Sequence, residues 1–148
     1  MIESRNMVER RRLFQVLLLA LGLPQAAAGL WALISPRGWY DDFPGFGRAW
    51  VSPHGPYNDH FANDVGAGLL ALAVLLIAAA IRPERRLVRV SLVTWLVFAI
   101  PHLIFHASTT ERLETSDNIV NLALLVGAVV VPIFLLALSG RRRRGLAH

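Results

Sequence analysis

The chain has 148 residues, of which 55% are hydrophobic and 17% are charged, with a mean hydropathy of +0.49. So few charged residues exclude a disordered chain and argue against a water-soluble domain, in which about a quarter of residues are charged. All 15 basic residues are arginine, and the sequence contains no cysteine and no lysine. Disulfides, thiolate metal sites and Schiff-base lysines are therefore excluded.

Four apolar runs predict the fold of the chain. They cover residues 13–34, 61–81, 87–105 and 119–138. Each has the length of about 20 residues that a helix needs to cross the hydrocarbon core of a bilayer. Backbone groups in hydrocarbon must be paired within the segment, which favours helices. We predict a single all-α domain over residues 1–148, a bundle of four transmembrane helices in the lipid bilayer.

The first run has two interpretations. It follows Arg10–Arg12, and residues 24–28 (Pro-Gln-Ala-Ala-Ala) are similar to the cleavage site of a signal peptide. The apolar run nevertheless continues to Ile34 without a polar break. We therefore predict a first helix that is retained, with cleavage of residues 1–28 as the alternative.

A long loop, residues 35–59, separates the first two runs and is rich in aromatic residues, proline and glycine. Its aromatic residues are Trp39, Tyr40, Phe43, Phe46, Trp50 and Tyr57. Rings with a polar edge favour the headgroup layer of a membrane. We predict an aromatic outer loop that lies on the membrane, either as a belt that anchors the bundle or as a lid over a site.

The second run carries small residues that predict close helix packing, with Gly66 and Gly68 among them. Pro24 in the first run and Pro132 in the fourth are expected to kink their helices at mid-membrane depth, where neighbouring helices can pair the freed carbonyl groups. Pro101, directly before His102, is expected to kink the third helix and open a cavity there.

The distribution of arginine predicts the orientation of the helices. Twelve arginines lie in the two tails and in the connection between the second and third runs: Arg5, Arg10, Arg11, Arg12, Arg82, Arg85, Arg86, Arg89 and Arg141–Arg144. The other two connections hold only Arg37, Arg48 and Arg112. The positive-inside rule then places both termini in the cytoplasm of a cell whose plasma membrane holds the protein. The basic segments are expected to contact anionic lipids, and no nucleic-acid partner is expected.

Polar residues spaced i,i+4 occur at the predicted outer ends of the last three helices. The pairs are His60 with Asp64, His102 with His106, and Asp117 with Asn121. The third helix runs outward while the second and fourth run inward, so the three pairs come to the same depth. Ionisable groups at such positions are costly and need a reason.

A divalent metal site is the leading hypothesis for this cluster. His102 and His106, one helical turn apart, could ligate one metal ion, and His60 with Asp64 could complete the shell. Asp117 and Asn121 would orient the imidazole rings from outside that shell. Without thiolates, the donors suit Zn²⁺, Cu²⁺, Mn²⁺ or Fe²⁺.

The same cluster leaves other functions open. It could bind another small ligand, or it could only hold helices together in a structural or accessory subunit, as a homo-oligomer or within a larger membrane complex. A membrane enzyme acting on a lipid could use Asp64 and His102 as an acid–base pair. Whether His54 and Asp59 fold inward to join the cluster is left open.

Two resemblances concern the loop and the second helix. Residues 36–44 (Pro-Arg-Gly-Trp-Tyr-Asp-Asp-Phe-Pro) and 55–66 resemble small four-helix membrane proteins of unknown function in high-GC bacteria. That resemblance covers most of the chain and implies a plasma-membrane location with no known activity. The spacing of His60 and Asp64 is also distantly similar to the His-x-x-x-Glu of emopamil-binding-type sterol isomerases. Aspartate replaces glutamate and the rest of that pattern is missing, so no isomerase activity is inferred.

Overall fold

The structure is a computed structural model that describes residues 2–140, with side chains from Met7 onward. The elements in chain order are α1 (Ile2–Ile34), α2 (Pro36–Asp42), β1 (Pro44–Gly45), β2 (Arg48–Ala49), a first 3₁₀ turn (Ser52–His54), α3 (Asp59–Ile81), α4 (Arg85–Ser108), a second 3₁₀ turn (Thr110–Arg112) and α5 (Thr115–Gly140). The predicted basic tail Arg141–Arg144 lies outside the described residues.

Four of the helices in this part of the chain are long and apolar enough to cross a membrane. They are Met7–Ile34 within α1, Asp59–Ile81, Arg85–Ser108 and Thr115–Gly140. The prediction of an all-α protein with four long apolar helices is confirmed at this level. Each helix extends past its apolar run because backbone hydrogen bonding continues into the polar flanks, whereas hydropathy marks only the apolar part.

The helices pack in two close pairs, α1 with α3 and α4 with α5, and α3 also contacts α4. Glycine permits the first pair to approach closely. A Cβ atom added to Gly29 would lie 2.8 Å from the carbonyl oxygen of Gly66 and 2.9 Å from the backbone nitrogen of Leu70. Gly66 therefore lies in the predicted small-residue contact, whereas Gly68 faces open space.

One buried stripe runs along α4 and forms the centre of the bundle. Its members Val88, Leu92, Trp95 and Ala99 are all buried, at the spacing of three and four residues that keeps side chains on one helix face. Large apolar side chains on the outward faces of the helices, such as Val97 of α4 and Leu124 of α5, remain exposed. Apolar surface of this extent is typical of helices that face lipid.

At one end of the bundle, side chains of α1 satisfy the carbonyl groups where two other helices end. Gln15 donates to the carbonyl oxygen of Ala80 at 3.0 Å, and Arg10 donates to that of Leu138. The last carbonyl groups of a helix have no partner within the helix, so these bonds fix how α3 and α5 end. We call this the termini end, because α1 begins and α5 ends here.

The opposite end of the bundle carries the loop, which folds into a compact unit that we call the cap (residues 35–58). In it β1 pairs with β2, and Gly45 at the end of β1 and Phe46 and Gly47 in the turn have positive φ. Trp39 and Trp50 are buried, and both rings contact Phe43. The aromatic loop between the first two long helices is thus an ordered structure.

Candidate functional site at the cap end

At the cap end, the buried stripe of α4 is followed on the same face by two half-buried histidines, His102 and His106. Both lie one or two turns beyond Ala99 on the same helix face. Their ring centroids are 4.7 Å apart and the rings are nearly perpendicular, at 82°. Phe98 stacks on His102 with a centroid distance of 5.1 Å. The predicted pair of imidazoles on α4 therefore points toward the interior of the bundle.

A third imidazole comes from the cap. The ring centroid of His54, at the end of the first 3₁₀ turn, lies 4.9 Å from that of His106 and 5.5 Å from that of Phe105. Neither ring nitrogen of His54 reaches solvent or has a hydrogen-bond partner among residues 2–140. We call His54, His102 and His106 the imidazole cluster.

The environment of His54 favours its uncharged form. Burial lowers the pKa of His54, and the nearby guanidinium of Arg112 lowers it further, while the carboxylate of Glu111 acts in the opposite direction. His54 lies in the cap, outside the four apolar helices. At neutral pH its ring is therefore neutral.

Asn121 of α5 completes the surroundings of the cluster. It is buried, and its Nδ2 atom lies 3.1 Å from Nδ1 of His106. When this amide donates to Nδ1, the neutral ring of His106 carries its proton on Nε2. Asn121 thus contacts one imidazole of the cluster, and its role in orienting a metal-bound ring stays a prediction.

Several hydrogen bonds hold the backbone around His54. Arg112 donates to the carbonyl oxygen of His54 at 2.8 Å. Tyr40 donates to the carbonyl groups of Gly55 and, at 3.3 Å, Ser52. The second 3₁₀ turn and α2 thus fix the turn that presents His54 to α4.

A salt bridge joins the cap to α5. Nη1 of Arg48 in β2 pairs with Oδ1 of Asp117 in the first turn of α5. The carboxylate predicted to orient an imidazole therefore has a guanidinium partner. Asp59, the other residue left open, accepts a hydrogen bond of 2.7 Å from the hydroxyl of Tyr57.

His60 and Asp64 lie on a different face of the bundle. Nε2 of His60 is 3.3 Å from Oδ2 of Asp64, so the predicted i,i+4 contact forms, but the two side chains are 88% and 67% exposed. The reason lies in α3 itself. Its small residues Ala62 and Gly66 are buried, and residues two positions away point to the opposite side.

The predicted four-ligand metal shell is not assembled. Among the side chains that the structure describes, residues 7–140, no group of three or more histidine, aspartate or glutamate residues is arranged to hold a metal ion. Packing of the buried face of α3 against α1 turns His60 and Asp64 away from the imidazole cluster. The same separation removes support for Asp64 and His102 as an acid–base pair. Metal binding has no support from this geometry, and a divalent cofactor stays a prediction.

His54 is the member of the cluster whose inward position the sequence left open. It lies between two prolines in a loop, with no periodic pattern that predicts its direction. The sequence pattern that indicates a polar partner lies on α4, where the apolar spacing from Val88 to Ala99 continues to His102 and His106. Partly buried imidazoles at the end of such a stripe favour a polar neighbour.

Comparisons with protein-family models, with curated proteins and with solved structures gave no match for this chain. The class of the protein therefore follows from its own structure. Four helices with the length and hydropathy of membrane spans, connected in sequence, define a small multi-pass membrane protein.

Proposed function

We propose that this membrane protein responds to protons at its cap end, where the cap docks on uncharged imidazoles and is released when they become protonated. The observation that carries the proposal is the continuous chain of rings from His54 through His106 to His102. One ring belongs to the cap and the other two to α4. A change in their charge therefore acts directly on the contact between cap and bundle.

Repulsion supplies the driving force for release. Two imidazolium ions with centres about 5 Å apart repel by about 3 kcal/mol at an effective dielectric constant near 20. That is comparable with the contribution of a few hydrogen bonds. Bonds of this kind, such as the one from Arg112 to the carbonyl oxygen of His54, hold the cap next to the cluster.

Titratable and charged groups from three elements surround the cluster. Arg112 and Glu111 face it from the second 3₁₀ turn, and His102 and His106 face it from α4. From α5, Asp117 is engaged by Arg48 of the cap.

The sign of the pH dependence follows from the pKa of His54, which is lower in the docked cap than its usual value near 6.5. The undocked form then binds more protons than the docked form. Docking is fully stable above about pH 6.5 and is lost as the pH falls through the pKa of the docked form.

We further propose that the cap faces the outside of the plasma membrane and that both termini are cytoplasmic. The support is the arginine distribution, since Arg82, Arg85, Arg86 and Arg89 flank the connection from α3 to α4 at the termini end. In this orientation the cluster samples the pH outside the cell.

Pulsed electron paramagnetic resonance tests the proposal. The chain has no cysteine, so Pro53→Cys in the cap and Val90→Cys near the opposite end of α4 accept spin labels without background. In lipid nanodiscs we expect one narrow distance distribution at pH 7.5. We expect it to become longer and broader at pH 5, as the cap is released.

Two histidine variants sharpen the test. His54→Gln keeps a polar side chain without an ionisable ring and is expected to remove most of the pH dependence. His60→Gln changes an exposed histidine outside the cluster and is expected to leave it intact. Equal pH dependence in both variants, or none in the parent, would contradict the proposal. If the distance distribution of the parent does not change with pH, and His102→Gln lowers the free energy of unfolding only modestly, the purely structural alternative is favoured.

A zinc titration of the same labelled protein separates the metal hypothesis. If Zn²⁺ binds at one ion per chain and holds the cap docked at pH 5, and His102→Ala abolishes both effects, the cluster is a metal site and not a proton-responsive one. We expect no stoichiometric binding, because the ligands are not grouped around one point.

A further inference from the structure

The termini end contains a second feature, remote from the imidazole cluster. A cavity of about 690 Å³ lies between the start of α1, the connection from α3 to α4, and the last turn of α5. Four arginines line it: Arg10, Arg11, Arg82 and Arg85. Its volume is within the range of sites that bind small organic ligands.

The charge of this cavity is strongly unbalanced. Among the described residues, Glu84 is the one carboxylate that lines it, against four guanidinium groups. Arg10 is partly engaged, because it donates to the carbonyl oxygen of Leu138 and lies over the ring of Phe14 at 6.0 Å. Among the described side chains, residues 7–140, those of Arg11, Arg82 and Arg85 have no hydrogen bond or ion pair.

The walls of the cavity are apolar where they enter the bundle. Phe14, Val88 and Ile81 all line the cavity. Phe14 and Val88 are buried, whereas Ile81 is 66% exposed. Ile81 ends α3 and Arg85 begins α4, so the cavity lies where two apolar helices meet the polar layer. A ligand here would meet guanidinium groups on one side and hydrocarbon on the other.

We propose that this cavity binds the headgroup of an anionic phospholipid, with its phosphodiester between the arginines and its acyl chains along the apolar surface beside Ile81. Guanidinium groups donate paired hydrogen bonds to phosphate oxygens with matching geometry. Basic pockets between membrane helices provide this chemistry at the interface. A free phosphate ion would use the same donors but would leave the apolar wall without a partner.

Native mass spectrometry of the full-length protein in detergent tests the assignment. Dioctanoyl phosphatidylglycerol, dioctanoyl phosphatidylcholine and inorganic phosphate are the three probes. We expect one phosphatidylglycerol molecule to bind each chain in preference to the other two. Equal binding of phosphatidylcholine would overturn the proposal, and inorganic phosphate that binds as tightly and displaces the lipid would assign the site to a free anion.

Matched pairs of arginine variants localise the site. Arg11→Gln with Arg85→Gln removes two cavity arginines, whereas Arg12→Gln with Arg86→Gln removes two positive charges from the same helices outside the cavity. A basic residue near an anionic lipid contributes roughly a factor of five, so the first pair should weaken binding about 25-fold. The second pair should weaken it less than about threefold, and equal losses would mean a general attraction to the basic surface.

A charge-preserving variant guards against misfolding. Arg11→Lys with Arg85→Lys keeps both charges but removes the paired donors, so we expect binding intermediate between the parent and the glutamine pair. Circular dichroism and gel filtration check that each variant is folded. Folded lysine and glutamine variants that bind as tightly as the parent would contradict the site.

Discussion

Trp95 shows how a single side chain can compensate for proline in an apolar helix. Pro132 of α5 has no backbone N–H, so the carbonyl group of Ala128, four residues earlier, lacks its helical donor. Nε1 of Trp95 donates to that oxygen at 2.7 Å from the neighbouring helix. Trp95 and Pro132 are both buried, so water does not supply the missing bond. The freed carbonyl of the predicted kink is thus paired by a neighbouring helix.

We expect Trp95→Phe to lower the free energy of unfolding by about 1 kcal/mol for the lost hydrogen bond, in addition to the loss of packing. In a Pro132→Ala background the same change should cost less, because this substitution restores a backbone N–H that can donate to the carbonyl oxygen of Ala128. Unfolding of the four variants by titration with sodium dodecyl sulfate measures the difference. Identical costs in both backgrounds would show that the indole bond contributes nothing.

At the cap end, local spacing predicted which polar residues share a helix face, whereas their role as metal ligands stays a prediction. His102 and His106 follow the buried stripe of α4, and Asn121 reaches His106 from α5. His60 and Asp64 have the same spacing but occupy the exposed face of α3. Spacing of i,i+4 establishes that two residues share a face; which face is buried depends on the neighbouring helix.

At the scale of elements, the contact between α1 and α3 depends on glycine. The Cβ of an alanine at position 29 would meet the backbone of Gly66 and Leu70, which cannot move aside as a side chain can. The two helices would have to separate, and contacts along their whole length would weaken. Close approach without a side chain is the reason for glycine here.

Gly29→Ala should therefore lower the free energy of unfolding by about 1–3 kcal/mol, in the range of overpacked cores. Gly68→Ala is the matched control, since no atom lies within 4 Å of its added Cβ. Alanine also favours the helical backbone, so the control should be neutral or slightly stabilising. Detergent unfolding curves compare them, and a loss in Gly68→Ala equal to that in Gly29→Ala would refute the close-contact explanation.

Hydropathy predicted the existence and order of the four long helices, but not the structure of the connections. The run 87–105 corresponds to α4, which begins at Arg85 and ends at Ser108. The cap could not be predicted beyond its aromatic character. Its shape depends on contacts between residues distant in the sequence, such as Arg48 with Asp117 and Arg112 with His54. No local pattern encodes such pairs.

At the scale of the whole molecule, the two ends of the bundle have opposite chemistry. The cap end has aromatic side chains, imidazoles and carboxylates such as Asp59 and Asp64. The termini end has arginines around an open cavity. Such a division is expected for a protein whose ends face different compartments, with the basic end beside the anionic leaflet.

The membrane orientation underlies both the proton response and the lipid site, and labelling of single cysteines tests it most directly. Pro53→Cys lies in the cap and Glu84→Cys lies at the termini end, in a chain with no other cysteine. With a membrane-impermeant maleimide, we predict that intact cells are labelled at position 53, and that position 84 reacts only after permeabilisation. Labelling of both positions from the same side, or the reverse pattern, would contradict the account.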